Sequence, residues 1–209
     1  KKYEKNEDGV AVVPEAKTAI LEDAMGGGGN GVVASRLALT EMIKYLRTNP
    51  GLPIDYKELI ELVQGEMRSA SELNGGDGVA LAMATKLSAR WGILRIGDSR
   101  AYHIVPSGNG WRIAERTKDE GLVASLNLTE LEAMANGRRN IITNSLAHVG
   151  DVAVAPIIWN RVQNDKVLLV SDGVHETMTD EELTYVFNKY YPECVKRGLN
   201  FATFLVYYA

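Results

Sequence analysis

The stretch "VALAMATKLSARWGILRIGDSRAYHIVPSGNGWRIAERT", residues 79–117, decides the fold class. It consists of short apolar runs that are separated by turn-forming residues at 88–90, 97–99 and 107–110. Such runs, divided by Gly, Ser and Asn turns, are typical of an antiparallel meander. We therefore predict consecutive strands here, with no helix between them.

Upstream of this meander, the sequence predicts two strands and then two helices. "GVAVVPEAKTAILED" (9–23) reads as two short strands around a turn at 14–17. "GVVASRLALTEMIKYLRTNP" (31–50) has apolar residues at helical spacing. "DYKELIELVQGEMRSASEL" (55–73) predicts a second amphipathic helix, with Asp55 as its N-cap.

Downstream, short helices and strands follow one another without a regular alternation. We predict a helix at 127–137, strands at 151–159 and 166–173, a helix at 178–191 capped by Thr179 or Asp180, and a last strand, "FATFLVYY", at 201–208. Because strands and helices cluster, a parallel doubly wound sheet is disfavoured. The prediction is an α+β fold, an antiparallel β-sandwich of two central sheets flanked by helix pairs, in a single domain over residues 1–209.

Composition excludes several functional classes. The chain has 209 residues, a net charge of −4 and a single cysteine, Cys194. A surface of this charge does not attract nucleic acid, and no apolar run reaches the length of a membrane span. We expect a cytoplasmic protein, without disulfides, that binds neither nucleic acid nor membrane.

Acidic residues stand where apolar runs end. Asp23 follows "AIL", Asp98 follows "GILRIG" and Asp172 follows "VLLVS". Buried carboxylates repel one another unless a cation pairs with them, and oxygen ligands suit Mg²⁺ or Mn²⁺. The histidines form no spaced pair for zinc. The loop "GGGGNGVV" lacks the Lys-Ser/Thr of a phosphate-binding P-loop, although a nucleotide-binding α/β protein remains an alternative interpretation.

Several motifs, in order, resemble one family. They are "NED" (6–8), "EDAMGG" (22–27), "IGDSRAYHI" (96–104), "RTKDEG" (116–121) and "LLVSDGVHETMTDEEL" (168–183). They are similar to motifs of the PPM, or type-2C, metal-dependent protein serine/threonine phosphatases in their bacterial form. The resemblance covers nearly the whole chain and implies the sandwich fold predicted above. Because the sequence opens within the first motif, we expect upstream residues and some loops to be missing from it.

The resemblance implies a set of metal ligands. Asp23 resembles the acid that bridges two catalytic metals, and the carbonyl of Ala24 is a further expected ligand. Asp172 resembles the second direct acid ligand. Glu7 resembles an acid that holds one metal through water, with Asp8 supporting it.

Other positions match the family less closely. Asp119 resembles the acid of a third metal, and Asp98 is expected to be structural. The family's phosphate-binding Arg is replaced by Tyr3, so that Lys2 or Lys5 would have to serve, and we select Lys5. The last acid ligand of the family is replaced by Leu199 or Asn200, of which only the asparagine could ligate.

The implied activity is hydrolysis of phosphoserine and phosphothreonine in proteins. Two Mn²⁺ or Mg²⁺ ions, with a possible third, would activate a water molecule that attacks phosphorus directly. The implied partner is a phosphoprotein whose phosphorylation opposes a Ser/Thr kinase, and we expect a monomer. The alternative is a catalytically impaired pseudophosphatase that acts as a binding or regulatory module, since an acid ligand and the phosphate Arg are absent.

Overall fold

The computed structural model describes residues 7–26, 30–121, 142–147 and 150–208. Within these ranges the strands are β1 Gly9–Val13, β2 Thr18–Gly26, β3 Asp77–Lys86, β4 Arg90–Ile96, β5 Arg100–Ser107, β6 Gly110–Arg116, β7 Leu146–Ala147, β8 Ile157–Asn160 and β9 Lys166–Val170. The α-helices there are α1 Gly31–Thr48, α2 Tyr56–Ser69, α3 Asp172–His175, α4 Asp180–Lys196 and α5 Phe201–Tyr208, and a 3₁₀ turn, Pro14–Ala16, joins β1 to β2.

The strands form two antiparallel sheets. The first has the order β1-β2-β3-β4-β8, with the short β7 paired to one end of β3. The second has the order β6-β5-β9. With helices packed on both, this is the predicted α+β architecture. The four consecutive strands β3 to β6 are confirmed, but they do not form one meander: β3 and β4 pair in the first sheet, whereas β5 and β6 pair in the second.

Helices α1 and α2 cover one face of the first sheet. On α1 the buried residues Ala34, Ala38 and Met42 recur every four positions, which places them on one side of the helix. Helix α2 begins at its predicted cap, where the Asp55 carboxylate accepts hydrogen bonds from the backbone N–H groups of Lys57 and Glu58. The core beneath these helices also contains Val13, Ile20, Leu81, Met83, Leu94, Leu46, Leu59 and Val63.

The other face of the first sheet meets the second sheet. Ala84 and Ile93 from the first sheet pack with Ala101 of β5, and Val167 and Leu169 of β9 lie against them. Small side chains at several of these positions allow the two layers to approach closely. Helices α4 and α5 cover the far side of the second sheet, so that the chain is layered as helices, sheet, sheet and helices.

The prediction of a last strand at 201–208 is wrong, because this segment is helix α5. Its aromatic and β-branched residues favour a strand intrinsically, but Phe201 and Leu205 lie one helical turn apart and are both buried. The ring of Phe201 contacts Phe187 of α4. The Asn200 side chain accepts a hydrogen bond from the Ala202 N–H at 2.9 Å, which caps the helix. Tertiary packing and this cap outweigh strand propensity.

Three other predictions of secondary structure concern residues 127–137, 151–159 and 178–191. The strand expected at 151–159 is shorter, since only Ile157–Asn160 pairs with β4. The helix expected at 127–137 lies outside the described residues. The helix expected at 178–191 is confirmed as α4, and Thr179 forms a capping box with Glu182 at its start.

The buried carboxylate of Asp165 joins the two sheets. It accepts hydrogen bonds from Trp91 Nε1 of β4 and from the Val162 N–H, and it bonds His103 Nε2 of β5, at 2.9, 3.0 and 2.9 Å. Burial would raise its pKa, but the bonds from His103 and Trp91 hold the pKa of Asp165 below its ordinary value. The residue therefore fixes the start of β9 relative to both sheets.

We expect Asp165→Ala to lower the free energy of unfolding by about 2–4 kcal/mol, because buried donors would lose their acceptor. Urea unfolding measures this loss. Since the pKa of Asp165 is depressed in the folded state, its contribution is present above the ordinary carboxyl pKa and fades as the pH falls below it. The control is Asp151→Ala, which breaks an exposed pair with Arg68 and should cost less than about 1 kcal/mol. Equal losses in the two variants would contradict this role.

Candidate functional site

Carboxylates from three parts of the chain meet at one end of the sandwich. Asp8 precedes β1, Asp23 lies near the end of β2, and Asp172 follows β9 as the first residue of α3. The carboxyl group of Asp23 is within hydrogen-bonding reach of those of both Asp8 and Asp172. Ser171 Oγ lies 3.5 Å from Asp8 Oδ2 and links the end of β9 to the start of β1.

Asp98 joins this group from the turn between β4 and β5. Its carboxylate is close enough to Asp172 to be repelled by it. We call Asp8, Asp23, Asp98 and Asp172 the acidic cluster. Sequence reasoning assigned Asp98 only a structural role in the turn. The signal was nevertheless present, because Asp98 follows an apolar strand just as Asp23 and Asp172 do.

Burial and mutual repulsion shift the ionisation of the cluster. Burial, followed by repulsion from Asp172, Asp8 and Asp98, raises the pKa of Asp23 to about 8. Burial, followed by repulsion from Asp172, raises the pKa of Asp98 to about 6. A neutral Asp23 carboxyl can donate a hydrogen bond to a neighbouring carboxylate. The raised pKa values of Asp23 and Asp98 show how strongly the fold crowds negative charge at this place.

A glycine lets the Asp98 turn approach the first sheet. Gly97 has a φ of +85°, and a Cβ at this position would lie 2.8 Å from the Cβ of Ala80. Both the conformation and the close contact favour glycine. The imidazole of His175 donates from Nε2 to the Asp98 carbonyl at 3.0 Å, since a carbonyl can only accept. These contacts fix Asp98 beside α3.

Asp119 lies near the cluster but has its own partner. Both of its oxygens accept hydrogen bonds from Arg100, at 2.7 and 2.6 Å, in a bidentate pair. Arg100 also donates to the hydroxyl of Tyr102. The predicted third-metal acid is therefore neutralised by a guanidinium in this structure.

Glu7 and Ala24 lie on the helix-facing side of β2. A Cβ on Gly31, the first residue of α1, would lie 2.5 Å from Glu7 Oε2 and 3.1 Å from the Ala24 Cβ. Glu7 thus points at the start of α1, whereas Asp8 is the residue that contacts Asp23. The water-mediated role expected for Glu7, with Asp8 in support, stays a prediction. Ala24 remains next to Asp23 in β2, with its methyl group buried on the opposite face.

Within the described ranges, no three Asp, Glu, His or Cys side chains are spaced as ligands of one ion. A cavity of about 460 Å³ lies at the opposite end of the first sheet, lined by Leu46, Tyr56, Thr85 and Leu87 among others. No member of the acidic cluster lines that cavity. We take the cluster as the candidate functional site, because it brings acids from separate parts of the chain together and raises the pKa of Asp23 and Asp98.

Comparison with known proteins points in the same direction. The serine/threonine protein phosphatase PstP of Mycobacterium tuberculosis is 29% identical over 189 residues, which are 85% of this chain. The serine/threonine phosphatase stp of Listeria monocytogenes is 29% identical over 178 residues, 78% of this chain and 69% of that protein. This chain spans only 35% of the length of PstP. No protein-family model matches it.

Solved structures give the fold. A crystal structure of PstP from Mycobacterium tuberculosis superposes with a TM-score of 0.73 at 25% identity, over 90% of this chain and 81% of that one. The PstP catalytic domain in complex with two manganese ions gives a TM-score of 0.69, also at 25% identity, over 88% of this chain and 79% of that one. The chain is similar to bacterial type-2C serine/threonine protein phosphatases. Its fold is the α+β fold of those phosphatases.

Two further residues that the phosphatase resemblance singled out are Asn200 and Lys5. Asn200 is exposed and its side-chain oxygen caps α5. Lys5 lies outside the described residues. A metal-ligand role for Asn200 and a phosphate-binding role for Lys5 stay predictions. None of the described helices is both long and apolar enough to cross a membrane.

Glu22 is a buried acid that sequence reasoning did not single out. It is fully buried next to Asp23, but it points to the other face of β2, towards Ser35 and Leu39 of α1. Among the described residues neither of its oxygens has a hydrogen-bond partner. Burial raises the pKa of Glu22 well above its ordinary value. Burial without a hydrogen-bond partner is unfavourable for this carboxyl group, which takes no part in the acidic cluster.

We expect Glu22→Met to raise the free energy of unfolding by about 1–3 kcal/mol, because it replaces an unpaired buried carboxyl with an apolar side chain of similar length. Thermal or urea unfolding at neutral pH measures the gain. The matched control is Glu61→Met on α2, whose exposed carboxylate pairs only with Lys57 and whose loss should change stability by less than about 0.5 kcal/mol. A Glu22→Met protein that is less stable than wild type would contradict this expectation.

Proposed function

We propose that this chain hydrolyses phosphoserine and phosphothreonine esters in proteins, using divalent cations held by the acidic cluster. One observation carries the proposal: Asp23 contacts both Asp8 and Asp172, so that one carboxylate can face two ions. The similarity to PstP and stp supports the same activity, and the manganese-bound PstP structure supports the cofactor.

The donor set of the cluster fits a hard divalent cation. Oxygen ligands from carboxylates are those that Mg²⁺ and Mn²⁺ prefer. In our proposal Asp8, Asp23 and Asp172 hold two ions, with the Ala24 carbonyl as a further ligand and Glu7 acting through water. A bound cation would relieve the repulsion among these carboxylates. A third ion would require Asp119 to leave Arg100.

The bound ions would lower the pKa of a coordinated water molecule and neutralise the phosphoryl oxygens. The protein contributes position and charge. Asp23 and Asp172 would hold the ions, and Ser171 holds Asp8 against the end of β9. His175 fixes the Asp98 turn through its carbonyl. We propose direct attack of water on phosphorus, with no phosphorylated side chain.

The remaining parts of the proposal concern the setting of the enzyme. Its substrates would be phosphoproteins, in opposition to a Ser/Thr kinase. We propose that the protein acts as a monomer in the cytoplasm, with residues 1–209 as one phosphatase domain. Lys5 is the proposed contact for the substrate phosphate.

A second candidate is a binding module that holds metal without efficient hydrolysis. It is favoured by the position of Asn200, whose side-chain oxygen serves as a helix cap. Calorimetric titration with Mn²⁺, run beside hydrolysis of p-nitrophenyl phosphate, separates the candidates. Binding with turnover supports the phosphatase, and binding without turnover supports the module.

We expect Asp23→Asn to weaken Mn²⁺ binding by more than about 100-fold and to remove p-nitrophenyl phosphate hydrolysis, because loss of a direct ligand exceeds the 10–100-fold effect of a supporting residue. Calorimetry gives the affinity and a colorimetric assay gives the rate. The amide is similar in size to the carboxyl, so the fold should persist, which circular dichroism checks.

Asp151→Asn is the control for this experiment. Asp151 is an exposed acid that pairs with Arg68 and is not a member of the acidic cluster. It should retain wild-type affinity and rate. An Asp23→Asn protein with Mn²⁺ affinity and turnover within about tenfold of wild type would contradict the role assigned to Asp23.

A further inference from the structure

The chain segment that follows β6 runs back along the turn between β4 and β5. We call residues 117–120 the return segment, and the turn, residues 97–101, carries Asp98 of the acidic cluster. Thr117 and Ala101 are joined by two hydrogen bonds. The Thr117 N–H donates to the Ala101 carbonyl and the Ala101 N–H donates to Thr117 Oγ1, both at 3.0 Å. The return segment is thus fixed to one end of the turn.

Glu120 makes a second double contact, with Gly97 at the other end of the turn. The Glu120 N–H donates to the Gly97 carbonyl at 2.8 Å, and the Gly97 N–H donates to Glu120 Oε2 at 3.2 Å. Gly97 directly precedes Asp98, and its φ of +85° is one that other residues rarely adopt. Since one residue bonds both backbone polar groups of Gly97, it fixes the backbone immediately before Asp98.

Glu120 is itself held by several partners. Arg95 of β4 forms an ion pair with it, and the two side chains are only 15% and 20% exposed. Asn144 Nδ2 donates to Glu120 Oε2 at 2.6 Å. The N–H and the hydroxyl of Thr143 donate to the Glu120 carbonyl at 2.8 and 3.0 Å. The carboxylate that bonds Gly97 is therefore fixed in position, and its charge is neutralised by a guanidinium.

Repulsion within the acidic cluster acts on the turn that Glu120 holds. The carboxylates of Asp98 and Asp172 are close enough to repel each other, and like charges move apart unless the backbone restrains them. His175 restrains the carbonyl of Asp98, to which it donates at 3.0 Å. Glu120 restrains the preceding residue. Together these contacts keep Asp98 beside Asp172.

We propose that Glu120 is a positioning residue for the cation centre, which holds Asp98 in the acidic cluster through its hydrogen bond from the Gly97 N–H. It acts through the turn and is not itself a ligand of the cations. Arg95 balances its charge, so that the acceptor adds no net negative charge beside the cluster. This inference rests on the proposed function, because it assumes that the cluster binds divalent cations.

The test compares two substitutions of Glu120. Glu120→Leu removes the acceptor, and we expect it to weaken Mn²⁺ binding about 10–100-fold by calorimetry, as for other residues that support metal ligands. In the metal-free protein, the Gly97 amide should exchange its hydrogen about tenfold faster or more, as measured by NMR. Glu120→Gln keeps an oxygen that can accept from the Gly97 N–H, and it should weaken Mn²⁺ binding by less than about threefold.

Glu58→Leu on α2 is the matched control, because it makes the same substitution away from the acidic cluster. The Glu58 carboxylate accepts a hydrogen bond from the Tyr45 hydroxyl at 2.8 Å, and Tyr45 lines the cavity at the opposite end of the first sheet. Urea unfolding compares the stabilities of the two leucine variants. Glu58→Leu should be less stable than wild type and yet bind Mn²⁺ within about twofold of it.

A double-mutant cycle tests whether Glu120 acts through Asp98. With Asp98→Asn already present, Glu120→Leu should weaken Mn²⁺ binding by less than about threefold, because the turn then has no charge to position. Equal weakening with and without Asp98→Asn would overturn the proposal. It would also be overturned by a Glu120→Leu protein that binds Mn²⁺ like Glu58→Leu, or by a Glu120→Gln protein as impaired as Glu120→Leu.

Failure of this inference remains distinct from failure of the proposed hydrolysis. If the wild type binds Mn²⁺ without hydrolysing p-nitrophenyl phosphate, the proposed hydrolysis fails, and the Mn²⁺ affinities of the variants still decide the role of Glu120. If the wild type binds Mn²⁺ and hydrolyses the ester, and Glu120→Leu binds Mn²⁺ equally well, only the role of Glu120 fails. A wild type that binds no Mn²⁺ would overturn both.

Discussion

Repulsion among closely placed carboxylates is the constraint on which the site depends. Asp8, Asp23 and Asp172 come from separate parts of the chain, and Asp23 contacts both of the others. Such an arrangement is unfavourable unless protons or cations neutralise it. The fold must supply the energy that keeps these groups together, and the two-sheet sandwich does so by fixing the ends of β1, β2 and β9 at one location.

The sequence predicted much of this arrangement, because turns and apolar runs are local signals. The hairpins β3–β4 and β5–β6 follow from their turn residues, although the sequence did not show that the chain changes sheets between them. The caps at Asp55 and Thr179 follow from short-range hydrogen bonding. Asp23 and Asp172 stood out since each ends an apolar run. Other features depend on contacts between distant residues. Nothing near Asp119 in the sequence shows that Arg100 will hold it, and nothing near Glu22 shows that it will be buried without a partner.

Helix α5 is the clearest case of tertiary packing overriding local preference. Its residues favour a strand, yet Phe201 and Leu205 are buried beside α4 and Asn200 caps the first turn. This change also alters the site. The side-chain oxygen of Asn200, where the phosphatase resemblance implied a ligand, is used in a backbone hydrogen bond. Because residues 201–208 are helical, β5 is the only strand that pairs with β9 among the described residues.

Strand β9 links the core of the sandwich to the acidic cluster. Its side chains Val167 and Leu169 pack between the two sheets. The strand ends at Val170, two residues before Asp172, so that the packing of the core positions this carboxylate at the cluster.

The central claim is that Asp23 is shared between two divalent cations. Anomalous diffraction from crystals soaked in Mn²⁺ tests this most directly. The account predicts two peaks, each within about 2.5 Å of an Asp23 oxygen, with Asp8 and Asp172 among the other ligands. Fully occupied peaks elsewhere, or a single peak that Asp23 does not contact, would contradict it.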